Sequence, residues 1–158
     1  MGKEHICEKA RGKLWMLRRM NKLNLDIHQM FDVYIKEVRS VLELAVPVWH
    51  PGLTQKQSED IERIQKVAFK IILHTDYANY HTACKVYEAQ TLELRREKLC
   101  LNIARKNLKS DKTFFTKITN PVNTRSKKVL VKEFKCNNGR FQKTSLPYMA
   151  KLLNNQNY

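Results

Sequence analysis

"SVLELAVPVWHPGLTQKQSEDIERIQKVAFKIIL", residues 40–73, contains one helix stop and one helix start. Pro47 has no N–H and disfavours helix at Val46, while Pro51 and Gly52 fit a tight turn. Thr54 with Gln57 three residues later forms a capping-box pattern, so a new helix is expected at once. Beyond it Ile61, Ile64, Ala68 and Ile71 recur at helical period, Glu59, Arg63 and Lys66 take the outer face, and the end falls near His74. Upstream, behind a cap at Asp26 with Gln29 three residues on, Ile27, Phe31, Tyr34, Val38, Val41 and Ala45 alternate steps of four and three. Trp49 lies four beyond Ala45. A helix that kinks at Pro47 without stopping would carry Trp49 onto the buried stripe, as a plug at the end of the core.

The same period runs outward in both directions. Ile6, Ala10, Leu14 and Leu17 share one face of an N-terminal helix. Arg11, Trp15, Arg18 and Lys22 share another, which reads either as a nucleic-acid face or, more plainly, as Trp15 packed on a neighbouring helix with the cations in water. A short helix is expected within residues 75–91. In "TLELRREKLCLNIARKNL", residues 91–108, Leu92, Leu99 and Ile103 share a face, and a last turn or two falls in "DKTFFTKI".

From Thr119 the texture changes. "TNPVNTRSKK" is loop-like, "VLVKEFK" alternates weakly as a hairpin strand does, "CNNGR" is a turn, and "SLPYMAKLLNN" suits a short terminal helix. With few apolar side chains relative to charge, this tail is expected to order only by docking on the helices or on a partner. The expected architecture is mainly α: a bundle of about four helices over residues 1–118 and a basic, irregular C-terminal extension over 119–158.

Charge narrows the partner. The chain of 158 residues carries a formal +15, and residues 95–158 alone hold sixteen Lys/Arg against Glu97, Asp111 and Glu133. Such asymmetry points to a polyanion, with nucleic acid ahead of an anionic membrane surface. The longest apolar runs are short and broken by charge, so neither a signal peptide nor a span is expected and an intracellular setting is. Cys7, Cys84, Cys100 and Cys136 lack paired spacing and read as free thiols, two of them as small apolar helix residues. His5 with Cys7 and His81 with Cys84 match no zinc pattern, so no metal or other cofactor is expected.

Catalytic signatures are missing. Four scattered glycines build no phosphate-cradling loop, and there is no nucleophile elbow or HExxH. The five aspartates are isolated, whereas a two-metal polymerase site needs clustered carboxylates.

"CEKARGKLWMLRRM", "YIKEVRSVLELAVPVWHPGLTQKQSEDIERIQKVAFKIIL", "LELRREKLCLNIARKNLKS", "FF", "TRS" and "RFQKTSLPYMAKLLN" follow one another along nearly the whole chain. Together they resemble the C-terminal region of reverse transcriptases from non-LTR (long interspersed, jockey-like) retrotransposons. The resemblance implies a thumb followed by a basic post-thumb extension, with Trp49 in a pattern joining two thumb helices. The palm with its metal-binding aspartates and the endonuclease are not in this sequence, so what it implies is a fragment without catalysis. The expected partners are RNA and DNA, held by the backbone, and a reverse transcriptase palm domain; no membrane and no small-molecule substrate is expected. The candidate phosphate-binding residues are Arg11, Arg18, Arg95, Arg96, Arg125, Lys127, Lys128, Arg140 and Lys143, while Tyr148 reads as a packing residue more readily than as a base-stacking one. Two alternatives stay open: a helical interaction module that docks on a palm or another protein, and a retrotransposon remnant without function.

Overall fold

A computed structural model of the chain describes residues 3–110, 115–116, 123–124, 127–128 and 131–155, with backbone alone at 3–4, 123–124 and 127–128. The described chain is mainly helical. It divides into two compact units, residues 1–44 with 53–95, and residues 45–52 with 96–158. This is not the expected division at 118/119, and the reason is the tail's own apolar residues, described below.

The first unit is built on α1 (Lys3–Lys22) and α5 (Gln55–Leu73). Ile6, Ala10, Leu14 and Leu17 of α1 are buried, joined by Cys7. The Thr54 capping box forms: the Gln57 N–H donates to Thr54 Oγ1 at 3.3 Å and the Thr54 N–H to Gln57 Oε1 at 3.1 Å. These bonds satisfy two otherwise orphaned donors and fix where α5 begins. On α5 the inward face is Ile61, Ile64, Gln65, Ala68, Phe69, Ile72 and Leu73, and the helix ends where His74 takes φ 42°. Ile71 is only half-buried.

Between them lie α2 (Ile27–Val33), a π-helical segment (Tyr34–Arg39) and α3 (Ser40–Glu43). Asp26 caps α2 by accepting from the His28 N–H at 2.9 Å. The buried residues are Met30, Tyr34, Val38 and Leu42, in place of the expected Ile27, Phe31, Val41 and Ala45. Steps of four overrun an α-helical turn by about 40° each, and the wider π turn takes up that drift. The helix does not run on through Pro47. Leu44 is extended, Ala45 adopts φ 51°, ψ 29°, and the chain restarts as α4 (Val46–Trp49), with Pro47 inside its first turn.

Gln65 carries the polar centre of this unit. It accepts from Tyr34 Oη at 2.5 Å, and its Nε2 donates to Tyr80 Oη at 2.8 Å and to the Gln90 carbonyl at 3.0 Å. Tyr80, at the start of α6 (Tyr80–Val86), in turn donates to Glu62. Around this network Phe31 stacks on Tyr87 with ring centroids 4.5 Å apart and meets the edge of Phe69 at 5.3 Å.

The second unit takes α4, a 3-10 turn (His50–Gly52), α7 (Leu92–Lys109) from Arg96 on, and the tail. Its core is Leu101, Ala104, Phe115, Val131, Met149, Ala150 and Leu153. The tail is therefore a core element that packs on α7. A two-residue antiparallel pair, β1 (Asn123–Thr124) with β2 (Lys127–Lys128), precedes it. The expected strand "VLVKEFK" is not formed over its described part: Val131 makes a single bridge and residues 132–136 are irregular. Asn138 of the expected turn instead caps a short helix, α8 (Gly139–Gln142), accepting from the Phe141 N–H at 2.8 Å. The terminal helix is α9 (Ser145–Asn155). Phe115 and Thr116 are not helical, and the rest of "DKTFFTKI" lies outside the described residues. Trp49 is half-buried, and Val46 takes the fully buried place expected for it.

Candidate nucleic-acid interface

In the first unit, Arg11 and Arg18 stand on the exposed side of α1, and neither makes an ion pair among the described residues. Trp15 lies on the stripe between them and is 59 % exposed, so it does not pack on a neighbouring helix. Burying Ile6, Ala10, Leu14 and Leu17 on one side of α1 turns this stripe to solvent. Across from it α5 presents Arg63, whose guanidinium pairs with Asp60 at 3.2 Å on the surface.

Arg95 and Arg96 are not the exposed cations that the sequence reading expects. Arg95 is committed to Glu43: Nη2 donates to Oε2 at 3.0 Å and Nε to Oε1. Arg39 approaches the same carboxylate at 3.6 Å. The Glu43 bond raises the Arg95 pKa, whereas burial and the neighbouring Arg95 charge lower that of Arg39. Arg96 is only 1 % exposed. It occupies the inward stripe Leu92–Arg96–Cys100–Ala104, so the expected face of Leu92, Leu99 and Ile103 is rotated and Ile103 is exposed. An arginine at an inward helix position reads as surface until the fold is known.

In the second unit that rotation leaves Lys98, Asn102, Arg105 and Lys109 together on the outer side of α7, all exposed. Steps of four, three and four keep them on one face, and the row is about 16 Å long. Sequence reasoning followed the apolar residues and missed this row, although the same period reveals it. Arg140 and Lys143 are exposed at α8, beside the 41 % exposed Phe141, and make no ion pair among the described residues. Lys127 and Lys128 lie on β2, described by backbone alone, and Arg125 lies outside the described residues. This unit holds fifteen Lys/Arg against Glu97, Asp111 and Glu133, a formal +12 of the chain's +15.

His50 and Tyr148 meet inside the second unit, with Nε2 and Oη 3.1 Å apart and the rings edge to face. Tyr148 is thus a packing residue here. Burial, with the Arg96 charge adding to it, lowers the His50 pKa to about 4. Cys7 and Cys100 are buried on helices, and burial pushes the Cys100 thiol up to about 11. No group of three or more His, Cys, Asp or Glu able to hold a metal ion occurs among the described residues, and no described helix is long and apolar enough to cross a membrane.

No protein-family model, curated protein or solved structure matches this chain.

Proposed function

We propose that the chain is a non-catalytic nucleic-acid-binding module that grips the phosphate backbone of RNA or DNA, as the thumb and post-thumb region of a non-LTR reverse transcriptase would. The observation that carries the reading is the formal +12 of the second unit, with Lys98, Arg105 and Lys109 in one exposed row on α7. A row of cations on a rigid helix fixes register along a backbone and reads no bases. The motif order quoted above supports the parent family.

The test is a salt series on two unrelated duplexes with the full chain and with Lys98→Gln, Arg105→Gln and Lys109→Gln combined. Each neutralised phosphate contributes about 0.9 to the log–log slope, so the triple variant is expected to flatten it by about 2 to 3 units, equally on both sequences. An unchanged slope overturns the role of α7. A chain that binds neither duplex overturns the reading.

A second reading, an interaction module seated on a protein such as a palm domain, draws on an apolar groove of about 370 Å³ in the second unit. Pro47, Val48, Ile103, Leu146 and Met149 line it, and Val48 is 75 % exposed. Self-association of the free chain that a polymerase fragment relieves would favour it.

A further inference from the structure

Within the first unit an open groove of about 330 Å³ lies between α1 and α5, lined by Arg11, Leu14, Arg18, Arg63, Ile64 and Val67. Its chemistry is divided. The floor is apolar, with Leu14 and Ile64 at 3 % and 2 % exposure, and the rim is three exposed guanidiniums with no carboxylate among the lining residues. Arg11 and Arg18 are seven residues apart, about 10 Å along the helix axis, and Trp15 stands exposed between them. Arg63 is exposed and its i,i+3 partner Asp60 is half-buried, a pair at the surface of the kind that contributes little and can yield to a phosphate.

We infer that this groove is a slot for an unpaired nucleotide of a single strand, its base over Leu14, Ile64 and Val67, its flanking phosphates on Arg11, Arg18 and Arg63, and a neighbouring base stacked on Trp15. The inference rests on the nucleic-acid reading above and adds a ligand class to it. A duplex keeps its base faces stacked inside and could use only the arginines. An unpaired strand uses the floor and the indole as well, which is how non-specific single-strand sites combine a cationic track with aromatic platforms. An acidic peptide would use the rim and leave the apolar floor and Trp15 idle.

Trp15 reports the site directly, because the chain has only two tryptophans. In a Trp49→Phe chain, a twelve-nucleotide single strand is expected to quench the remaining emission saturably, and a blunt twelve-base-pair duplex is not. In the otherwise unaltered chain, Arg11→Gln with Arg18→Gln, and separately Trp15→Ala, should weaken single-strand binding by about tenfold, read by anisotropy of a labelled strand. Duplex affinity should stay within about threefold in Trp15→Ala, whereas the double arginine variant weakens both forms through lost phosphate contacts. The slot is refuted, with the backbone-gripping reading intact, if duplex binds but the single strand neither quenches Trp15 nor responds to these variants. It is also refuted if Trp15→Ala weakens both forms alike, or if only anionic phospholipid vesicles quench the indole. Loss of all nucleic-acid binding in the unaltered chain removes both readings.

Discussion

Arg95 and Glu43, 52 residues apart, close on each other through two hydrogen bonds, Nη2 to Oε2 at 3.0 Å and Nε to Oε1. Both side chains are largely buried, at 27 % and 17 % exposure, and Arg39 shares the carboxylate. Glu43→Gln would leave two half-buried guanidiniums facing a neutral amide and is expected to cost about 1.5–3 kcal/mol in a denaturant melt. Arg95→Gln should also destabilise, yet leave nucleic-acid affinity of the folded protein unchanged within about twofold. A large, salt-dependent loss of affinity in Arg95→Gln would return that residue to the interface.

Asn154 holds Val131 by both sides of its amide. The Val131 N–H donates to Oδ1 at 3.1 Å and Nδ2 donates to the Val131 carbonyl at 3.0 Å, with Asn154 only 5 % exposed. The pair reproduces what a neighbouring strand would supply to an isolated extended residue. Asn154→Leu fits the apolar surroundings but strands a buried donor and acceptor, so it should destabilise by about 2–4 kcal/mol despite its greater hydrophobicity. Equal or higher stability of the variant would show that those backbone groups are satisfied some other way.

The elements legible in the sequence are those whose signal is local. Thr54 and Gln57 announce the start of α5 because both bonds of a capping box form within four residues, and the apolar period of α1 needs no partner to be seen. The π-helical turn at Tyr34–Arg39 leaves no mark at period 3.6, and its wider turn is what keeps Met30, Tyr34, Val38 and Leu42 on the buried side. Gln65 and Arg96 are hidden for another reason: a polar side chain is assigned outward unless its tertiary partners are known. Of the candidate site, Arg11, Arg18, Arg140 and Lys143 are exposed, and none of them is in an ion pair among the described residues. Arg95 is lost to a carboxylate no local pattern connects to it.

His50 should make the second unit acid-sensitive. Its pKa is lowered to about 4 by burial and by Arg96, against about 6.5 in an unfolded chain. Above pH 6.5 both states are neutral and the group has no effect on stability. Between 6.5 and 4 the unfolded chain takes up the proton and the folded chain does not, so stability falls as pH falls; below 4 the loss is complete. Because the imidazole is only partly buried, the full loss is expected to be about 1–2 kcal/mol. The check is the difference between wild type and His50→Gln in denaturant melts from pH 7.5 to 3.5. Parallel pH profiles would mean that His50 protonates in place, without cost.

Removing residues 119–158 tests whether the tail is an appendage or part of a core. On charge alone it reads as an extension whose loss leaves a folded bundle. The fold contradicts this, since Val131, Met149, Ala150 and Leu153 are packed against Leu101 and Ala104 in one apolar cluster. Truncation after Ile118 would expose Leu101 and Ala104 and leave residues 101–109 of α7 with little to pack on. A helical stretch that short is marginal in water without tertiary support. Helix content should therefore fall by more than the deleted α8 and α9 contribute, and amides over residues 101–109 should lose protection in hydrogen exchange. Those of α5 should keep theirs, because its buried face, from Ile61 to Leu73, belongs to the first unit. Full protection of residues 101–109 in the truncated chain would show that the tail is dispensable to the fold, and salt-slope changes on truncation could then be read as lost phosphate contacts alone.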